Sequence, residues 1–305
     1  MNLKQLEAFL LVAESGSLTR AAKTANIAQS FLSRQVAQLE SDWGDRLFER
    51  TGRGVVLSEF GRRIQPEIQL LLDQARQLEK SAKDAAGVIS GTVHIGMFPS
   101  ISRQLLPMLF ADMRTRAPSV RLHVIEGFSG SLDEHLASGH LDMAVMNRYG
   151  STAGRGEDIL GYAKTFLVGK PGNPLVASKS VALRDLAEAA LVLPSLPNGL
   201  RSILDQQARQ QGVKMNVVVE VDTLATTKNI AADGDAYAIL PLIAIDEEIK
   251  RGELAISEII KPRIKRTITL GLSKQRPLSK AARLAAPRVR DLTMQLLSRS
   301  QISEE

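Results

Sequence analysis

The part of the chain that most restricts its fold runs from residue 17 to residue 61. Two short segments with helical apolar spacing flank a turn at residues 26–28, and two strand-like pieces then flank a Gly-Arg-Gly turn. This order of helix, turn, helix and hairpin is typical of a winged helix-turn-helix, which places its second helix in the major groove of DNA. The stretch therefore predicts a DNA-binding module, and the rest of the chain is expected to control it.

The composition narrows the class of protein. The chain has 305 residues, of which 44% are hydrophobic and 24% charged, so two or three folded domains are expected. The sequence has no cysteine, which excludes disulfides, thiolate metal sites and cysteine nucleophiles within it. Glu7 and Glu14 interrupt an apolar amino terminus whose spacing is helical, unlike that of a signal peptide, and no apolar run reaches the ~18–20 residues that span a bilayer. We expect a soluble, cytoplasmic protein.

The net charge of +6 suggests a polyanionic partner, but its distribution does not locate the binding surface. Residues 1–63 contain nine Lys or Arg and seven Asp or Glu, a surplus of two positive charges. Residues 261–305 contain eleven basic and three acidic residues, a surplus of eight. Individual side chains, rather than bulk charge, must therefore identify the DNA contacts.

The second helix of the module is predicted to begin after Ser17 as N-cap and the third to run from about Gln29 to Asp42. One face of the third helix is apolar, with Leu32, Val36, Leu39 and Trp43 at spacings of four, three and four. The opposite face has small or hydrogen-bonding side chains and no acid before Glu40: Ser30, Ser33, Arg34, Ala37 and Ser41. A narrow, acid-poor face of this kind fits a groove of DNA.

Several side chains of the module are candidates for DNA contacts. Gln pairs bidentately with adenine and Arg with guanine, while hydroxyl groups suit either bases or phosphates. The alternatives are a solvated helix face for the third helix and a solubility role for the arginines of the hairpin. The candidate DNA-binding residues are Thr19, Gln29, Ser30, Ser33, Arg34, Arg50 and Arg53.

A long helix is predicted to follow the hairpin, capped by Ser58 and continuing to about Ala86. Pro66 should kink this helix or mark a frayed first part, since an interior proline costs ~3 kcal/mol. Its near-heptad apolar seam predicts a helix–helix dimer interface, and a hinge is predicted at Gly87 and residues 90–91. The seam comprises Ile64, Ile68, Leu71, Leu72, Ala75 and Leu78.

From Thr92 onward, short apolar or alternating runs alternate with helix-like segments, which predicts α/β order with strands buried by crossover helices. The runs predicted as strands are residues 93–97, 120–126, 141–146, 166–168, 191–193, 217–221, 237–240 and 268–272. Ligands of such sheets bind beyond the carboxyl ends of the strands, close to helix amino termini. The loops expected there are rich in Ser, Thr, Asn and Gly: residues 98–102, 127–131, 147–150, 194–199 and 222–227.

Over essentially its whole length the chain resembles the LysR-type transcriptional regulators, most strongly in AAKTANIAQSFLSRQVAQLE and RLFERTGRGVVLSEFG. Residues 193–201 and the segment VVVEVDTLATTKNIAADGDAYAILP resemble the branch that contains the nitrogen-assimilation control regulator. One departure is Ser30, where the family usually has a proline that pre-organises the first helical turn, so Ser30 either loosens the helix start or adds a hydroxyl contact.

The resemblance implies a helical winged helix-turn-helix domain and a long dimerisation helix, followed by a periplasmic-binding-protein-like α/β effector domain of two subdomains joined by two crossing strands. The implied boundaries are 1–58 for the DNA-binding domain, 59–90 for the linker helix and hinge, and 91–305 for the effector domain. Subdomain I then covers about 91–161 and 267–305, and subdomain II about 162–266. Arg53 takes the place of the family's minor-groove arginine, and Arg50 is a candidate phosphate contact.

The resemblance and the loop order together predict an effector cleft. Its hydroxyl, amide and backbone N–H donors suit a small carboxylate or similar anion, with Arg148 or Arg201 as a source of positive charge. Ordinary loop capping by Ser and Asn is the alternative. The candidate effector-binding residues are Ser100, Ser102, Ser129, Asn147, Pro194, Ser195 and Thr223.

The sequence thus predicts a bacterial, sequence-specific transcription regulator that binds double-stranded DNA as a homodimer or homotetramer and responds to a small-molecule effector. No cofactor is expected. The histidines show no metal pattern, since His135 and His140, five residues apart, should splay around a helix. The rival classes are a solute-binding receptor and an enzyme acting in the α/β cleft. The expected absence of an export signal and the module at residues 17–61 count against the receptor, and the lack of any catalytic constellation counts against the enzyme.

Overall fold

The computed structural model describes residues 1–52, 54–83, 89–150, 153–154, 156–275 and 277–302. The chain divides into two compact units, Met1–Val88 and Ile89–Glu305. Within the described ranges, no helix combines the length and apolarity needed to cross a membrane.

The first unit is built from helices whose ends are fixed by local sequence signals. Asn2 and Gln5 form a capping box at the start of α1, and Gly16 ends α1 in the left-handed conformation. The Ser17 side chain accepts a hydrogen bond from the backbone of Arg20 at the start of α2. The helices are α1 (Leu3–Ser15), α2 (Leu18–Ala25), α3 (Gln29–Trp43) and α4 (Glu59–Lys83), with the hairpin strands β1 (Phe48–Thr51) and β2 (Gly54–Leu57) before α4.

The core of the first unit lies between α1 and its neighbours. The alanines of α2 allow close approach, because Ala21 and Ala22 are buried together with Leu32 and Val36 of α3. A second cluster joins α1, α3, the hairpin and α4 through Leu6, Phe9, Leu10, Leu39, Leu47, Ile68 and Leu72. The hairpin and the start of α4 are therefore part of one packed module with the three helices.

The predicted seam of α4 is divided between two environments. Ile68 and Leu72 are buried in the core of their own unit, and Ile64 packs against the same cluster. Leu71 is 39% exposed and Leu78 is 73% exposed. The helix begins at Glu59 and continues through Pro66, so its first part is not frayed. Its predicted end near Ala86 and the hinge residue Gly87 lie outside the described residues.

The start of the second hairpin strand requires glycine. Gly54 has φ of +146°, and a Cβ atom there would lie 2.4 Å from the carbonyl oxygen of Gly16. That oxygen accepts a hydrogen bond from the backbone of Val55, which ties the hairpin to the end of α1. We expect Gly54→Ala to lower the free energy of unfolding of the first unit by about 1–3 kcal/mol. Urea denaturation followed by the fluorescence of Trp43, the single tryptophan of the sequence, measures this change.

Gly52→Ala is the matched control, because a Cβ atom at Gly52 meets nothing within 4 Å. Equal losses for the two variants would mean that hairpin flexibility, rather than the approach to Gly16, sets the requirement for glycine.

The second unit contains two mixed sheets. The first has the strand order β4-β3-β5-β13-β6, in which β3 is parallel to β4 and β5, and β13 is antiparallel to β5 and β6. The second has the order β10-β9-β11-β7-β12-β8, with β7 antiparallel to β11 and β12. The strands are β3 (Gly91–Met97), β4 (Val120–Glu126), β5 (Met143–Tyr149), β6 (Asp158–Ala163), β7 (Phe166–Gly169), β8 (Ser180–Ala182), β9 (Leu191–Leu193), β10 (Val217–Glu220), β11 (Tyr237–Leu240), β12 (Ala255–Ile260) and β13 (Arg266–Leu272).

Helices cover the sheets and bury their strands, as expected for α/β order. On the first sheet, residues of α5 and α10 form one apolar cluster and residues of α6 another. On the second sheet, residues of α7 and α8 belong to two separate clusters. The helices are α5 (Pro99–Arg116), α6 (Ser129–Ala137), α7 (Gly199–Gln210), α8 (Leu224–Asp233), α9 (Asp246–Lys250) and α10 (Lys280–Ile302).

The chain crosses between the two sheets twice, from β6 to β7 and back from β12 to β13. The predicted fold class is therefore confirmed: a helical winged module with a long helix, then two α/β subdomains joined by two crossing segments. Three strands, β6, β8 and β12, were not among the predicted runs. The ligand loops predicted here are shorter than expected, because residues 99–102 form the first turn of α5, residues 129–131 that of α6, and residues 147–149 the end of β5.

Candidate functional sites

The predicted groove-binding face of α3 is exposed over its whole length. Leu32, Val36 and Leu39 are buried on the opposite face, so α3 is held firmly by one side only. Ala28 precedes the helix, and no hydrogen bond from a described side chain caps its first turn, which has no acidic residue. The partial positive charge of the helix amino terminus therefore faces solvent uncompensated and favours phosphate. The exposed candidates on this face are Gln29, Ser30, Ser33 and Arg34.

Two candidate residues hold each other in position. The hydroxyl of Thr19 on α2 donates a hydrogen bond of 3.1 Å to Oε1 of Gln29 at the start of α3. Because the oxygen is engaged, the amide nitrogen of Gln29 is turned to the other side, where it can donate to a base or phosphate. Phe31, an exposed aromatic residue on the same first turn, was not predicted as a contact, although the T methyl group is a suitable partner for it.

The hairpin presents one described candidate. Arg50 is exposed on β1, where its register partner on β2 is Val55. Arg53, the predicted minor-groove residue, lies outside the described residues.

In the second unit, residues from both sheets line a cavity of about 120 Å³. Four of the predicted effector-binding residues are part of its wall: Ser100, Ser129, Asn147 and Pro194. Ser129 is tied to the backbone of Asn147, since its hydroxyl donates to the Asn147 carbonyl at 2.8 Å and accepts from the Asn147 N–H at 3.0 Å. The cleft thus forms where the strand ends of both subdomains meet.

Three predicted effector-binding residues lie outside this wall. Ser102 is buried within α5. The backbone N–H of Ser195 donates to Asp222 at 2.9 Å, and the Thr223 hydroxyl donates to Thr226 at 2.8 Å. Asp222, rather than its neighbour Thr223, contributes to the cavity wall.

Among the described residues of the cavity wall, the cation is Arg266, the first residue of β13, which is 2% exposed. Its Nε donates to Oδ1 of Asn147 at 2.7 Å and its Nη2 donates to Oγ of Ser100 at 2.8 Å. The guanidinium carbon lies 4.7 Å from the centre of the Phe98 ring. None of these partners is an acid, and no carboxylate among the described residues forms an ion pair with Arg266. Burial lowers the pKa of Arg266, because desolvation penalises its charged form.

Arg148 and Arg201 were predicted as sources of positive charge in the cleft, but neither supplies it. Both lie outside the cavity wall and are neutralised by acids of their own unit. Arg148 donates to both carboxylate oxygens of Asp133 at 2.7 Å and also pairs with Glu157, and these carboxylates raise its pKa. Side chains alternate along β5, so Arg148 faces away from its neighbour Asn147.

Arg201 lies on α7 and is held in the same way. Its Nε donates to Asp205 at 3.0 Å and its Nη1 donates to Glu220 at 2.6 Å. The hydrogen bond to Glu220 is the main cause that raises the pKa of Arg201. With its charge matched inside the second subdomain, Arg201 offers little attraction to a ligand.

The expected separation of His135 and His140 is wrong. Their ring centres are 5.7 Å apart in an edge-to-face arrangement. The reason is that α6 ends at Ala137 and the chain turns back at Gly139, where φ is +77°. Among the described residues, no three of His, Asp and Glu are grouped closely enough to hold a metal ion.

Comparison with known protein families accounts for both units. Residues 3–62 match the bacterial regulatory helix-turn-helix protein family of LysR type, and residues 86–292 match the LysR substrate binding domain. The chain belongs to the LysR family of transcriptional regulators. The predicted resemblance is therefore confirmed, and the family is one of regulators rather than enzymes.

Individual relatives place the chain within this family only broadly. The nitrogen assimilation regulatory protein nac of Escherichia coli K12 is 29% identical over 299 residues, 98% of this chain and 96% of that protein. The dual regulator OxyR of the same strain is 27% identical over 278 residues, 91% of each chain. Because these identities are so close, the nac resemblance does not by itself assign a branch.

Solved structures of LysR regulators share the fold over the full length. CbnR in complex with its target DNA has a TM-score of 0.70 at 21% identity, with 98% of this chain and 100% of that chain covered. A full-length OxyR variant from Pseudomonas aeruginosa has a TM-score of 0.63 at 22% identity, with 97% of this chain and 94% of that chain covered. At these identities the likeness supports the fold alone.

Proposed function

We propose that this LysR regulator binds double-stranded operator DNA through α3 and the hairpin wing, and that a small anionic molecule in the cleft alters this binding. The observation that carries the proposal is the exposed, acid-poor face of α3, which is opposite a buried apolar stripe. CbnR, which has the same fold, is described in complex with its target DNA. The cytoplasm is the compartment in which such a regulator would meet its operators.

The residues expected to contact DNA fall into two groups. Gln29, Ser30, Ser33 and Arg34 are placed to reach base edges or phosphates in the major groove, with Thr19 orienting Gln29. Arg50 and Arg53 on the wing are proposed to contact the backbone and the minor groove, respectively.

The proposed assembly is a homodimer through α4, with a dimer of dimers as its larger form. Leu71 and Leu78 remain exposed on α4 and could pack against a second copy, whereas Ile68 and Leu72 are already buried. A two-fold dimer of winged modules requires half-sites about 34–36 Å apart, or multiples of that distance. The proposed division of labour is DNA binding by residues 1–58, pairing and hinge by 59–90, and effector binding by 91–305.

The proposed effector site is the cavity bordered by Ser100, Ser129, Asn147 and Pro194. It lies at strand ends between two subdomains that are joined by two crossing segments, so a ligand could favour one relative position of the subdomains over another. The coupling requires that the ligand binds the two positions with different affinity.

Selection of bound duplexes from a random pool, with the full-length protein, tests the DNA-binding proposal. The expected result is an enriched site with two-fold symmetry and half-sites one helical turn, or a multiple of it, apart. If the protein retained no duplex above background, the proposal would be overturned. Half-sites without a fixed spacing would contradict the dimer.

We expect Arg34→Ala to weaken binding to the selected site by about 1–3 kcal/mol and to relax the preference at one base pair, if Arg34 reads a base edge. Affinity for the selected site and for single-base variants, measured by fluorescence anisotropy, gives both quantities. Arg184→Ala is the control, because Arg184 is an exposed arginine of the effector unit. An equal loss on all sequences, with a salt slope lower by about one unit, would instead assign Arg34 to a phosphate.

A further inference from the structure

The wall of the cleft contains a buried cation without an acidic partner among the described residues, and this cation restricts the chemistry of the ligand. The inference rests on the proposed effector role of the cleft. A guanidinium that is almost fully buried normally has a carboxylate partner, because burial of an unpaired ion costs several kcal/mol even after relaxation. Arg266, at 2% exposure, has only amide, hydroxyl and aromatic partners among the described residues. An anionic ligand would supply the missing charge.

The hydrogen-bond donors that remain in the wall converge near this guanidinium. Nη1 of Arg266 donates to no described residue, and the amide nitrogen of Asn147 and the hydroxyl hydrogen of Ser100 are likewise not engaged by described groups. Ser100 lies in the first turn of α5, whose amino terminus has no hydrogen bond from a described capping side chain. Three donors next to a helix amino terminus match the acceptors of one carboxylate.

Three other polar side chains of the wall already bond within the protein. The Ser129 hydroxyl bonds to the backbone of Asn147, Oδ1 of Asn198 accepts hydrogen bonds at the start of α7, and the Thr227 hydroxyl donates to the carbonyl of Thr223 at 3.0 Å. These engaged groups leave few partners for a polyhydroxylated ligand such as a sugar. Apolar side chains form most of the remaining wall, among them Phe128, Leu200, Val221, Leu240 and Pro241. Such a surface favours an apolar ligand body.

The charges of the wall limit the ligand to one negative group. Among the residues described around the cavity, Arg266 is the cation and Asp222 the carboxylate. A second negative group on the ligand would have no cation to meet and would be repelled by Asp222. Dicarboxylates and phosphate esters are therefore disfavoured relative to a monocarboxylate.

The size of the cavity limits the apolar body. Its volume is about 120 Å³, and an apolar cavity of about 150 Å³ is known to accommodate benzene. A body the size of one aromatic ring or one short branched chain fits this space, whereas a nucleotide or a fused ring system requires the cleft to widen.

The geometry points to a small monocarboxylate with an apolar body as the ligand of this cleft. Its carboxylate would pair with Arg266 and accept hydrogen bonds from the amide nitrogen of Asn147 and the hydroxyl of Ser100. Arg266 is thus the specificity-determining residue of the site. The carboxylate would complete an ion pair that the ligand-free protein lacks. Ligand binding would therefore also stabilise the cleft.

Isothermal titration of the full-length protein at constant ionic strength tests the proposal with matched probes. Benzoate and 3-methylbutanoate are the monocarboxylates, benzamide and 3-methylbutanamide their neutral counterparts, and phthalate the dianion. We expect both monocarboxylates to bind and to raise the melting temperature, and the amides and phthalate to bind at least about tenfold more weakly. No binding of either monocarboxylate at about 10 mM, which would saturate a millimolar site, would overturn the proposal.

Variants at position 266 separate the anchor from a structural role. Arg266→Met should abolish the binding of both monocarboxylates, whereas Arg266→Lys should restore part of it, because lysine keeps the charge but loses the planar fork. The matched control is Arg263→Met, since Arg263 lies three residues before Arg266 but is 69% exposed and outside the cavity wall. Circular dichroism verifies the fold of each variant.

The outcomes distinguish this inference from the proposed function. Amides that bind as tightly as the carboxylates, or benzoate binding unchanged in Arg266→Met, would remove Arg266 as the anchor. Tighter binding of phthalate than of benzoate would overturn the limit to one charge. Retention of the selected duplex is measured on the same samples: duplex binding without any carboxylate response overturns only the ligand class, while loss of duplex binding in the parent protein overturns the regulator mechanism.

Discussion

Replacement of Phe9 by alanine is expected to unfold the DNA-binding unit and to leave the effector unit folded. Phe9 is fully buried in α1, its ring centre lies 5.3 Å from that of Phe48 on the hairpin, and it belongs to the cluster that joins α1, α3, the hairpin and α4. A buried Phe→Ala substitution costs about 3–5 kcal/mol. A small unit has a total stability of about 5 kcal/mol, so the loss approaches the whole of it.

The sequence provides separate optical probes for the two units. Trp43 is the single tryptophan and lies in the first unit, where it packs edge-on against Phe60 at 6.1 Å. The three tyrosines, Tyr149, Tyr162 and Tyr237, all lie in the second unit. We therefore expect Phe9→Ala to shift Trp43 fluorescence to that of the unfolded chain and to abolish duplex binding, while the tyrosine near-ultraviolet dichroism persists.

Phe110→Ala is the matched control, since Phe110 is 57% exposed on α5. It should change neither signal. If Phe9→Ala eliminated both signals together, the two units would depend on each other for folding, and the assignment of stability to separate cores would be wrong.

The parts of the fold that the sequence predicts are those determined by neighbouring residues. Helix starts at Ser17 and Ser58 follow from side chains that bond the first turn, and the ends of α1 and α3 follow from glycines with positive φ. The buried stripe of α3 follows from apolar spacing alone. None of these features depends on a distant part of the chain.

The strands that the sequence did not predict depend on distant partners. β6 is a partly exposed strand at the edge of its sheet and contains Gly161, and β8 is only three residues long at the edge of the other. β12 buries the polar Ser257, whose hydroxyl donates to the carbonyl of Leu175 at 2.8 Å. These segments form strands because they pair with strands, or bond to backbone carbonyls, that are distant in the sequence. A pattern of apolar alternation within the segment does not reveal such partners.

The site shows the same division. The position of the cleft was predictable, because Ser100 and Ser129 lie in the first turns of helices that directly follow β3 and β4, and Asn147 lies near the carboxyl end of β5. The source of the positive charge in the cleft was not predictable, because the acids that neutralise Arg148 and Arg201 come next to them only in the folded chain. One signal for Arg266 was present: it has the same parity as the buried residues Ile268 and Leu270, so strand alternation places it on their face.

Arg148 has carboxylate partners, whereas Arg266 has only neutral ones among the described residues, and this difference predicts the second large effect on stability. Arg148→Met is expected to lower the free energy of unfolding of the effector unit by about 2–4 kcal/mol, because it leaves Glu157, whose side chain is only 11% exposed, without its counter-ion. This expected loss is smaller than that for breaking a fully buried ion pair, because the second partner of Arg148, Asp133, is 44% exposed and stays hydrated. Urea denaturation followed by the tyrosine dichroism measures it.

Arg266→Met is the matched variant on the neighbouring strand, and its expected effect on the ligand-free protein has the opposite tendency. It removes a buried charge that has no acidic partner among the described residues, and methionine of similar volume needs no counter-ion, so the free energy of unfolding should stay unchanged or rise. Asn147 and Ser100 border the cavity, where water can replace the guanidinium as their hydrogen-bond partner. Equal losses for the two variants would show that neutral partners stabilise Arg266 as well as carboxylates stabilise Arg148, and the energetic reason for an anionic ligand in the cleft would disappear.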